Sequence, residues 1–242
     1  MKIDPYNHKR KYLDWKERTK NGIPGISMVN SDIILAYIND MEKGINVSSS
    51  GIKGARSYPR LNNIRGRLMF FTRKFEEIYS IDNITKITEE QLICFFSDIK
   101  NGTIKRCDGN SFESVDTYVR IFKAFWHWYM KVNKKKGEII PDITTDLDTS
   151  REKPKWVYLT EDQIKKMCNN AKFNYRVLIM FLFDTGIRSP TELVNVKISD
   201  LYNECKEVHI REEISKTFGR RIKLMLCSDL IEKKSPQLAV AG

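Results

Sequence analysis

The feature that most constrains this chain is a helical period of apolar residues between Asp32 and about Asn133. Apolar side chains recur there every three or four positions, which places them on one face of an α-helix. Polar turns interrupt the period, so it predicts four amphipathic helices in a compact domain from residue 31 to 135. Their apolar stripes are Ile33, Ile34, Tyr37, Ile38 and Met41; Ile64, Leu68, Phe71 and Phe75; Leu92, Phe95, Phe96 and Ile99; and Tyr118, Ile121, Phe122, Phe125, Trp126 and Tyr129.

Two capping boxes mark helix starts, one at Thr88 with Gln91 and one at Thr160 with Gln163. In such a box the threonine hydroxyl and the glutamine amide satisfy each other's free backbone N–H groups. The first box predicts the start of the third helix. The second predicts that ordered structure resumes near residue 156, and an apolar run from Tyr175 to Phe183 predicts a buried helix after it.

The segments that flank the helical domain carry no apolar period. Residues 1–30 are basic and polar and contain turn signals such as Asn21-Gly22, so they are interpreted as a basic arm. Residues 136–155 alternate charged, Thr and Pro residues and are interpreted as an interdomain linker. The charge run of this linker is either a solvated stretch or a DNA contact, and the sequence leaves both readings open.

Composition narrows the class of partner. The net charge of +11 and the pI near 9.3 favour an acidic partner, with nucleic acid first and an anionic membrane surface second. The longest apolar run, Val177 to Phe183, is far shorter than the roughly 20 residues of a membrane-spanning helix, so we expect a cytoplasmic protein. Five cysteines without a C-x-x-C pair, and three histidines, predict no disulfide framework, no metal site and no cofactor.

A candidate phosphate-binding residue stands in the stretch from Asp184 to Leu193. Ser189 to Glu192 has the pattern of a capping box with Pro190 in the first helical position, so a helix is predicted to begin directly after Arg188. A guanidinium beside a helix amino terminus is well placed to bind a phosphate. The alternative is an ordinary surface arginine next to a capped helix.

A β-hairpin is predicted farther along the chain. Two short strand patterns, Glu207 to Ile210 and Arg221 to Leu226, are separated by a loop that contains Ser215 to Arg220. Lys216 lies in that loop.

These two stretches resemble the tyrosine recombinases. The run T-G-I-R followed by E-L and I-S-D, within Asp184 to Asp200, resembles the first catalytic box of that family. The run I-S-K-T-F-G-R-R-I-K-L, Ile214 to Leu224, resembles its catalytic β-hairpin in the form of archaeal integrases. The resemblance implies a mainly α chain in which a helical, SAM-like core-binding domain (31–135) is joined by a linker to a partial α+β catalytic domain with a β-hairpin (156–242).

The resemblance also implies residue roles. Arg188 would clamp the scissile phosphate, and Lys216 would donate a proton to the leaving 5′ oxygen. The alternative for Lys216 is a hairpin-loop lysine without a role in the reaction. The family's glutamate follows its arginine by three positions, whereas Glu192 follows Arg188 by four. Glu192 is therefore interpreted as a capping residue.

The family's H-x-x-R box and nucleophilic tyrosine are not found in this sequence. After Leu226 the chain contains no Tyr, His or Arg, and Tyr202 is interpreted as a structural or surface residue. We therefore expect a DNA-binding integrase, truncated before the nucleophile and inactive alone, that serves integration and recombination of a mobile element. Its partners would be double-stranded DNA and a carboxy-terminal integrase fragment or other protomers, with no membrane. The alternative is a non-catalytic DNA-binding module that occupies or regulates a recombination site.

DNA contacts of the helical domain are predicted from its basic side chains, although each alone is more often solvated. The candidates are Arg65, Arg67, Arg73, Lys74, Arg120 and Lys123. The aromatic residues of the fourth helix have the spacing of a core face, so Phe125, Trp126 and Tyr129 are predicted to pack inside rather than to stack on bases.

Overall fold

The computed structural model describes residues 2–45, 54–150, 156–216 and 218–232. These residues form two compact units. We call residues 7–150 the helical unit, and residues 2–6 together with 156–232 the mixed unit.

The helical unit confirms the four predicted helices and adds one. Its elements are α1 (His8–Arg18), α2 (Met28–Lys43), α3 (Tyr58–Tyr79), a 3-10 turn (Ile84–Lys86), α4 (Glu89–Asn101) and α5 (Val115–Lys134). The capping box at α4 is present, with Gln91 N–H donating to Thr88 Oγ1 at 3.2 Å and Thr88 N–H donating to Gln91 Oε1 at 3.1 Å. The predicted stripes therefore come from the right segments and begin where the capping chemistry indicates.

The interpretation of residues 1–30 as a basic arm is wrong. Residues 8–18 form α1, and its Tyr12 and Trp15 are buried in the core of the helical unit. The guanidinium of Arg65 lies 4.8 Å from the centre of the Trp15 ring, and Asn62 Nδ2 donates to the His8 carbonyl at 2.9 Å. Two aromatic residues among many charged ones make a stripe too sparse for a sequence period, yet they are large enough to anchor a helix.

Aromatic rings dominate the core of the helical unit, as the stripes predict. Phe71 on α3 and Phe122 on α5 are fully buried and meet edge to face, with ring centroids 5.3 Å apart. Phe125 and Trp126 are also buried, and Tyr129 packs against the same core. These rings are therefore unavailable for base stacking, as expected.

The segment interpreted as a linker is packed over much of its described length. Trp126 Nε1 donates to the Pro141 carbonyl at 2.9 Å, and Thr144 is fully buried. Leu147 joins the core of the helical unit. We call residues 138–150 the strap. Its contacts are mostly polar and use backbone carbonyls, which is why no apolar period announces them.

The mixed unit contains a small antiparallel sheet and short helices. Its elements are α6 (Glu161–Asn170), α7 (Phe173–Thr185), 3-10 turns at Leu193–Asn195 and Ile198–Asp200, β1 (Leu201–Tyr202), β2 (Glu207–Ile210), β3 (Arg220–Lys223) and α8 (Ser228–Glu232). The strand order is β1-β2-β3, and Val208 pairs with Ile222 in the hairpin. The predicted hairpin and the capping box at Thr160 are confirmed.

Two expectations for the mixed unit need correction. The third strand ends at Lys223, earlier than the predicted Leu226, because the chain turns away to bind Asp184. The helix expected to be buried, α7, has only Phe181 and Thr185 fully buried, while Tyr175 and Phe183 are exposed. Its apolar residues surround the helix, and the elements packed on it cover only part of that surface.

Membrane-spanning helices and metal-binding clusters are both absent from the described residues. None of their helices combines the length and apolarity needed to cross a membrane. Among the same residues, no group of three or more His, Cys, Asp or Glu side chains is arranged to hold a metal ion.

Candidate phosphate-binding site

Arg188 lies just past the carboxyl end of α7. The helix ends at Gly186, whose φ of 54° is in the left-handed region that glycine adopts without a steric penalty. Ile187 is buried, and its N–H donates to Thr185 Oγ1 at 3.3 Å. The conformation of Gly186 and the contacts of Ile187 therefore fix the backbone of this turn, and with it the position of the Arg188 backbone.

Glu192 is the centre of the site, and its interpretation as a capping residue is wrong. No α-helix begins directly after Arg188; hydrogen-bonded turns lead instead to the 3-10 turn at Leu193–Asn195. The buried Glu192 carboxylate accepts from the Arg188 N–H at 3.1 Å and from Arg188 Nη1 at 2.9 Å. It also accepts from Arg220 Nη2 at 2.8 Å. The carboxylate therefore orients two guanidiniums instead of capping a helix.

The pKa of Glu192 reflects this arrangement. Burial alone raises the pKa, but hydrogen bonds from the Arg220 side chain and from the Arg188 backbone and side chain outweigh it. Together they lower the pKa from 4.5 to about 2. Glu192 is therefore ionised at neutral pH, and its single negative charge faces the positive charges of Arg188 and Arg220.

The β-hairpin supplies the other side of the site. Gly219 has a φ of 77°, and a Cβ there would lie 2.9 Å from the Ile210 carbonyl oxygen, so only glycine fits before β3. Arg220 follows at once and reaches Glu192. Ser215 Oγ lies 3.5 Å from Glu192 Oε1, which places the start of the loop beside the same carboxylate. Lys216, the next residue, is exposed.

The two residues predicted from the motifs therefore belong to one neighbourhood. Arg188 contacts Glu192 directly, and Lys216 follows the serine that approaches the same carboxylate. The Arg188 side chain is 49% exposed although one of its nitrogens is held by Glu192. A guanidinium fixed in this way keeps donors free for an oxyanion, and phosphate oxygens fit its planar fork.

Residues before the helical unit support the turn that carries Glu192. Asn195 Nδ2 donates to the Ile3 carbonyl at 2.9 Å, and the Ile3 N–H donates to Asn195 Oδ1 at 2.6 Å. Lys2 Nζ donates to the Glu213 carbonyl at 3.0 Å. Residues 2–6 thus belong to the mixed unit, a second reason why the arm interpretation fails.

Most predicted DNA contacts of the helical unit have partners within it. Lys74 pairs with Glu77 at 2.8 Å, Arg120 Nη2 donates to the Thr149 carbonyl at 3.3 Å, and Lys123 Nζ donates to the Thr145 carbonyl at 3.3 Å. Two of these side chains therefore help to hold the strap against α5.

The three arginines of α3 that were predicted to contact DNA behave differently. Arg65 packs on Trp15, Arg67 lies with its guanidinium 3.4 Å from the centre of the Tyr118 ring, and Arg73 is exposed. Cation–π contacts of this kind leave the guanidinium charge uncompensated, in contrast to an ion pair.

Sequence reasoning missed Arg220 as a member of the site. The signal was available in two places: Arg188 and Glu192 are four residues apart, a spacing that favours ion pairs, and Arg220 alternates with the exposed Arg221 in a strand. The sequence did not show that Glu192 is buried beside the hairpin, because only the tertiary structure brings the hairpin to it.

Comparisons with known proteins bear on the fold. No family model matches the sequence, and no curated protein matches it. Among solved structures, the Tn1549 transposon integrase in complex with a circular intermediate DNA matches with a TM-score of 0.56 at 16% identity, covering 86% of this chain and 65% of that chain. XerA recombinase matches over 88% of this chain and 66% of that chain at 16% identity. Its TM-score of 0.31 is too low to carry an argument.

The match to the integrase agrees with the motifs. This chain spans about two thirds of the length of the integrase chain, 65%, and follows its fold across both units. The order of a helical unit and a mixed unit with a hairpin is the order that the T-G-I-R and S-K-T-F-G-R runs imply. The chain therefore has the fold of the tyrosine recombinases.

Proposed function

We propose that this chain is a DNA-binding protein of the integrase type, which holds a phosphate of duplex DNA with Arg188 and serves integration and recombination of a mobile element. The observation that carries the proposal is the Arg188 guanidinium, oriented by the buried Glu192 carboxylate yet half exposed. An arginine that is only structural needs no exposed donors, whereas a phosphate clamp does. A DNA target places the expected site of action in the cytoplasm.

Two further observations support duplex DNA as the partner. The net charge of +11 favours a polyanion, because each phosphate neutralised by Lys or Arg releases a counterion. The integrase that shares the fold was solved in complex with DNA. Neither observation depends on Arg188, so the partner and the site are supported separately.

The chemistry proposed for the site is a transesterification at phosphorus. A tyrosine oxygen loses its proton and attacks the phosphorus, a phosphotyrosyl bond forms, and the bond to the 5′ oxygen breaks. Arg188 stabilises the charge that develops on the non-bridging oxygens, and Lys216 gives a proton to the departing 5′ oxygen. In the family this tyrosine follows an H-x-x-R box, and the described residues contain no such box.

A binding experiment tests the proposal. Fluorescence anisotropy with labelled duplexes should give affinity that falls by orders of magnitude between about 50 and 200 mM salt and does not change with EDTA. Arg188→Ala should weaken binding about tenfold, the loss of one charge-assisted contact. Arg221→Ala is the matched control, because Arg221 is exposed next to Arg220 on β3 and has no contact with Glu192 among the described residues. Equal losses in both variants, or binding that is flat with salt, would contradict the proposal.

A non-catalytic module that occupies or regulates a recombination site is the second candidate. The observation that favours it concerns Tyr202. The Tyr202 ring stacks on the His209 ring in the sheet, with centroids 3.9 Å apart, and this contact gives the tyrosine a structural role instead of that of a nucleophile. A nicked suicide substrate with the chain alone should give no protein-linked strand on a denaturing gel. Addition of a polypeptide with H-x-x-R and Tyr restores cleavage if the chain is part of an integrase and does not if it is a module. An adduct on Tyr202 would refute both.

A further inference from the structure

Arg220 exceeds what the buried Glu192 carboxylate needs. One guanidinium with its hydrogen bonds compensates one carboxylate, and Arg188 supplies both, through its backbone N–H at 3.1 Å and Nη1 at 2.9 Å. Arg220 brings a second guanidinium to the same group, with Nη2 at 2.8 Å. Among the described residues, neither arginine forms an ion pair with a further carboxylate. One positive charge of the two is therefore left without an anion.

Both guanidiniums also have donors that Glu192 does not engage. A guanidinium carries five N–H groups. Arg220 directs Nη1 and Nη2 to Glu192, at 3.4 and 2.8 Å, and Arg188 directs Nη1 to it. The Arg220 side chain is 29% exposed and the Arg188 side chain is 49% exposed. Donors of both arginines are therefore open to a ligand from solvent.

The two guanidiniums are close enough to share one phosphate. Arg188 Nη1 and Arg220 Nη1 both contact Glu192 Oε1, so these nitrogens are less than about 7 Å apart. Charge-assisted hydrogen bonds to phosphate oxygens are about 2.8 Å long, so two oxygens of one phosphate can accept from both groups. Ser215 Oγ lies 3.5 Å from the same carboxylate oxygen, and the exposed Lys216 follows it. A phosphate held here therefore meets groups from both motifs.

The backbone of β3 directs Arg220 toward the site. Side chains alternate across a strand, so Arg220 and the adjacent Arg221 lie on opposite faces of the sheet. Arg220 pairs with Ile210 across the hairpin and is partly buried, whereas Arg221 is exposed. Because Glu192 already holds the Arg220 guanidinium, little side-chain freedom is lost when an oxyanion binds. Arg221 carries the same charge one residue away and serves as the natural comparison.

We propose that Arg220 is a second catalytic residue, which donates to a non-bridging oxygen of the same DNA phosphate that Arg188 holds. The inference rests on the proposed function and adds a residue to its site. Negative charge develops on the non-bridging oxygens in the transition state, and two guanidiniums stabilise it more than one. Glu192 is an anion and acts through the two arginines, so it is a positioning residue.

The first test uses the unaltered chain and inorganic phosphate. The Nε–H signals of isotope-labelled arginines are followed by NMR at constant ionic strength, and each signal is assigned with an Arg→Lys variant. The Arg188 and Arg220 signals should move together and saturate with one dissociation constant, while the Arg221 signal should not saturate. Saturation of the Arg188 signal without that of Arg220 would overturn the proposal and leave the proposed function standing.

A second test separates contact with phosphate from compensation of charge. Glu192→Gln with Arg220→Gln keeps the net charge of the unaltered site and should bind a labelled duplex about tenfold more weakly, the loss of one charge-assisted contact. The control, Glu192→Gln with Arg221→Gln, has the same net charge and keeps Arg220, so its affinity should change by less than about threefold. Anisotropy measures both, and circular dichroism checks their folding.

The outcomes distinguish this proposal from the function on which it rests. Full affinity in the variant without Arg220 would show that Arg220 only compensates Glu192. Equal losses in the two double variants would show that Glu192 matters and Arg220 does not. Either result overturns Arg220 as a phosphate ligand while the chain still binds DNA. If the unaltered chain does not bind duplex DNA, the proposed function itself fails.

Discussion

The helices α5 and α7 are both rich in apolar residues, yet they are buried to different extents. On α5, Ile121, Phe122 and Phe125 are fully buried. On α7, which has the longer uninterrupted apolar run, Phe181 is the only apolar residue that is fully buried. Polar positions on α5 specify which face turns inward, whereas an apolar surface all around α7 leaves that choice to the neighbouring elements.

The same contrast holds for the two units. The helical unit has a continuous aromatic core, and the buried core of the mixed unit is much smaller. The mixed unit also exposes four consecutive apolar residues before α6, namely Trp156, Val157, Tyr158 and Leu159. Burial of apolar area is the main favourable term in folding, so the helical unit should be the more stable of the two.

The largest effect should come from truncation of a core ring. Phe71→Ala should destabilise the helical unit by about 3–5 kcal/mol, because the ring is fully buried among other aromatic rings. Phe181→Ala should cost the mixed unit less than Phe71→Ala costs the helical unit, because its ring is 8% exposed and belongs to a smaller core. Urea unfolding followed by tryptophan fluorescence and by circular dichroism measures both.

A surface phenylalanine provides the control for these variants. Phe183 is 49% exposed on the same helix as Phe181, and Phe183→Ala should change stability by no more than about 0.5 kcal/mol. If Phe181→Ala costs as much as Phe71→Ala, the mixed unit has a core as well packed as that of the helical unit, and the comparison fails.

An intermediate effect is expected at the buried carboxylate of the mixed unit. Glu192→Gln should destabilise that unit by about 1–3 kcal/mol, because Arg188 and Arg220 lose their charged partner. Arg188→Ala should cost less, since Arg220 still pairs with Glu192. Ser189→Ala should be nearly neutral, because the expected capping box is absent.

The acid dependence of stability gives an independent readout of Glu192. Its pKa is lowered from 4.5 to about 2, so its stabilising effect is complete above pH 4.5 and is lost as the pH falls toward 2. The unaltered mixed unit should lose stability across that window more steeply than Glu192→Gln, measured as the unfolding midpoint at each pH. Parallel curves would show that the ion pairs contribute nothing to folding.

Rules that use only a few neighbouring residues predicted the secondary-structure elements of this protein better than they predicted its tertiary contacts. The helices with one apolar stripe, the two capping boxes and the hairpin with Val208 opposite Ile222 follow from period and chemistry over a few residues. The α1 helix was not predicted, because its two buried aromatic residues, Tyr12 and Trp15, are too few to make an apolar stripe. The packing of the strap was not predicted, because side chains of α5 donate hydrogen bonds to its backbone carbonyls, and every residue has such a carbonyl.

The candidate site could be predicted only in part. Arg188 and Lys216 were predicted because their motifs resemble a known pattern, and the structure places Arg188 against Glu192 and Ser215, the residue before Lys216, near the same carboxylate. The role of Glu192 was missed because the same S-x-x-E spacing fits both a capping box and a turn that buries the carboxylate. Local sequence cannot separate these outcomes, because Arg220, which selects the second, approaches from a distant strand.

The smallest effect should come from the two capping boxes, which place identical chemistry in different surroundings. Thr88 and Gln91 begin α4, which buries Leu92, Phe95, Phe96 and Ile99, so loss of the cap should destabilise the whole helical unit. Thr160 and Gln163 begin α6, where only Cys168 is buried. That helix can fray from its amino end while the rest of the unit stays folded.

Thr88→Ala should therefore lower the unfolding free energy of the helical unit by about 1 kcal/mol, whereas Thr160→Ala should move the midpoint of the mixed unit by less than about 0.5 kcal/mol. The loss of the cap in Thr160→Ala should appear instead as faster amide hydrogen exchange confined to the first turn of α6. Thr→Ser at either position keeps the hydroxyl and controls for side-chain size. Equal losses at both positions would show that α6 is coupled to its unit as firmly as α4, and that the difference in burial between the two helices has no energetic consequence.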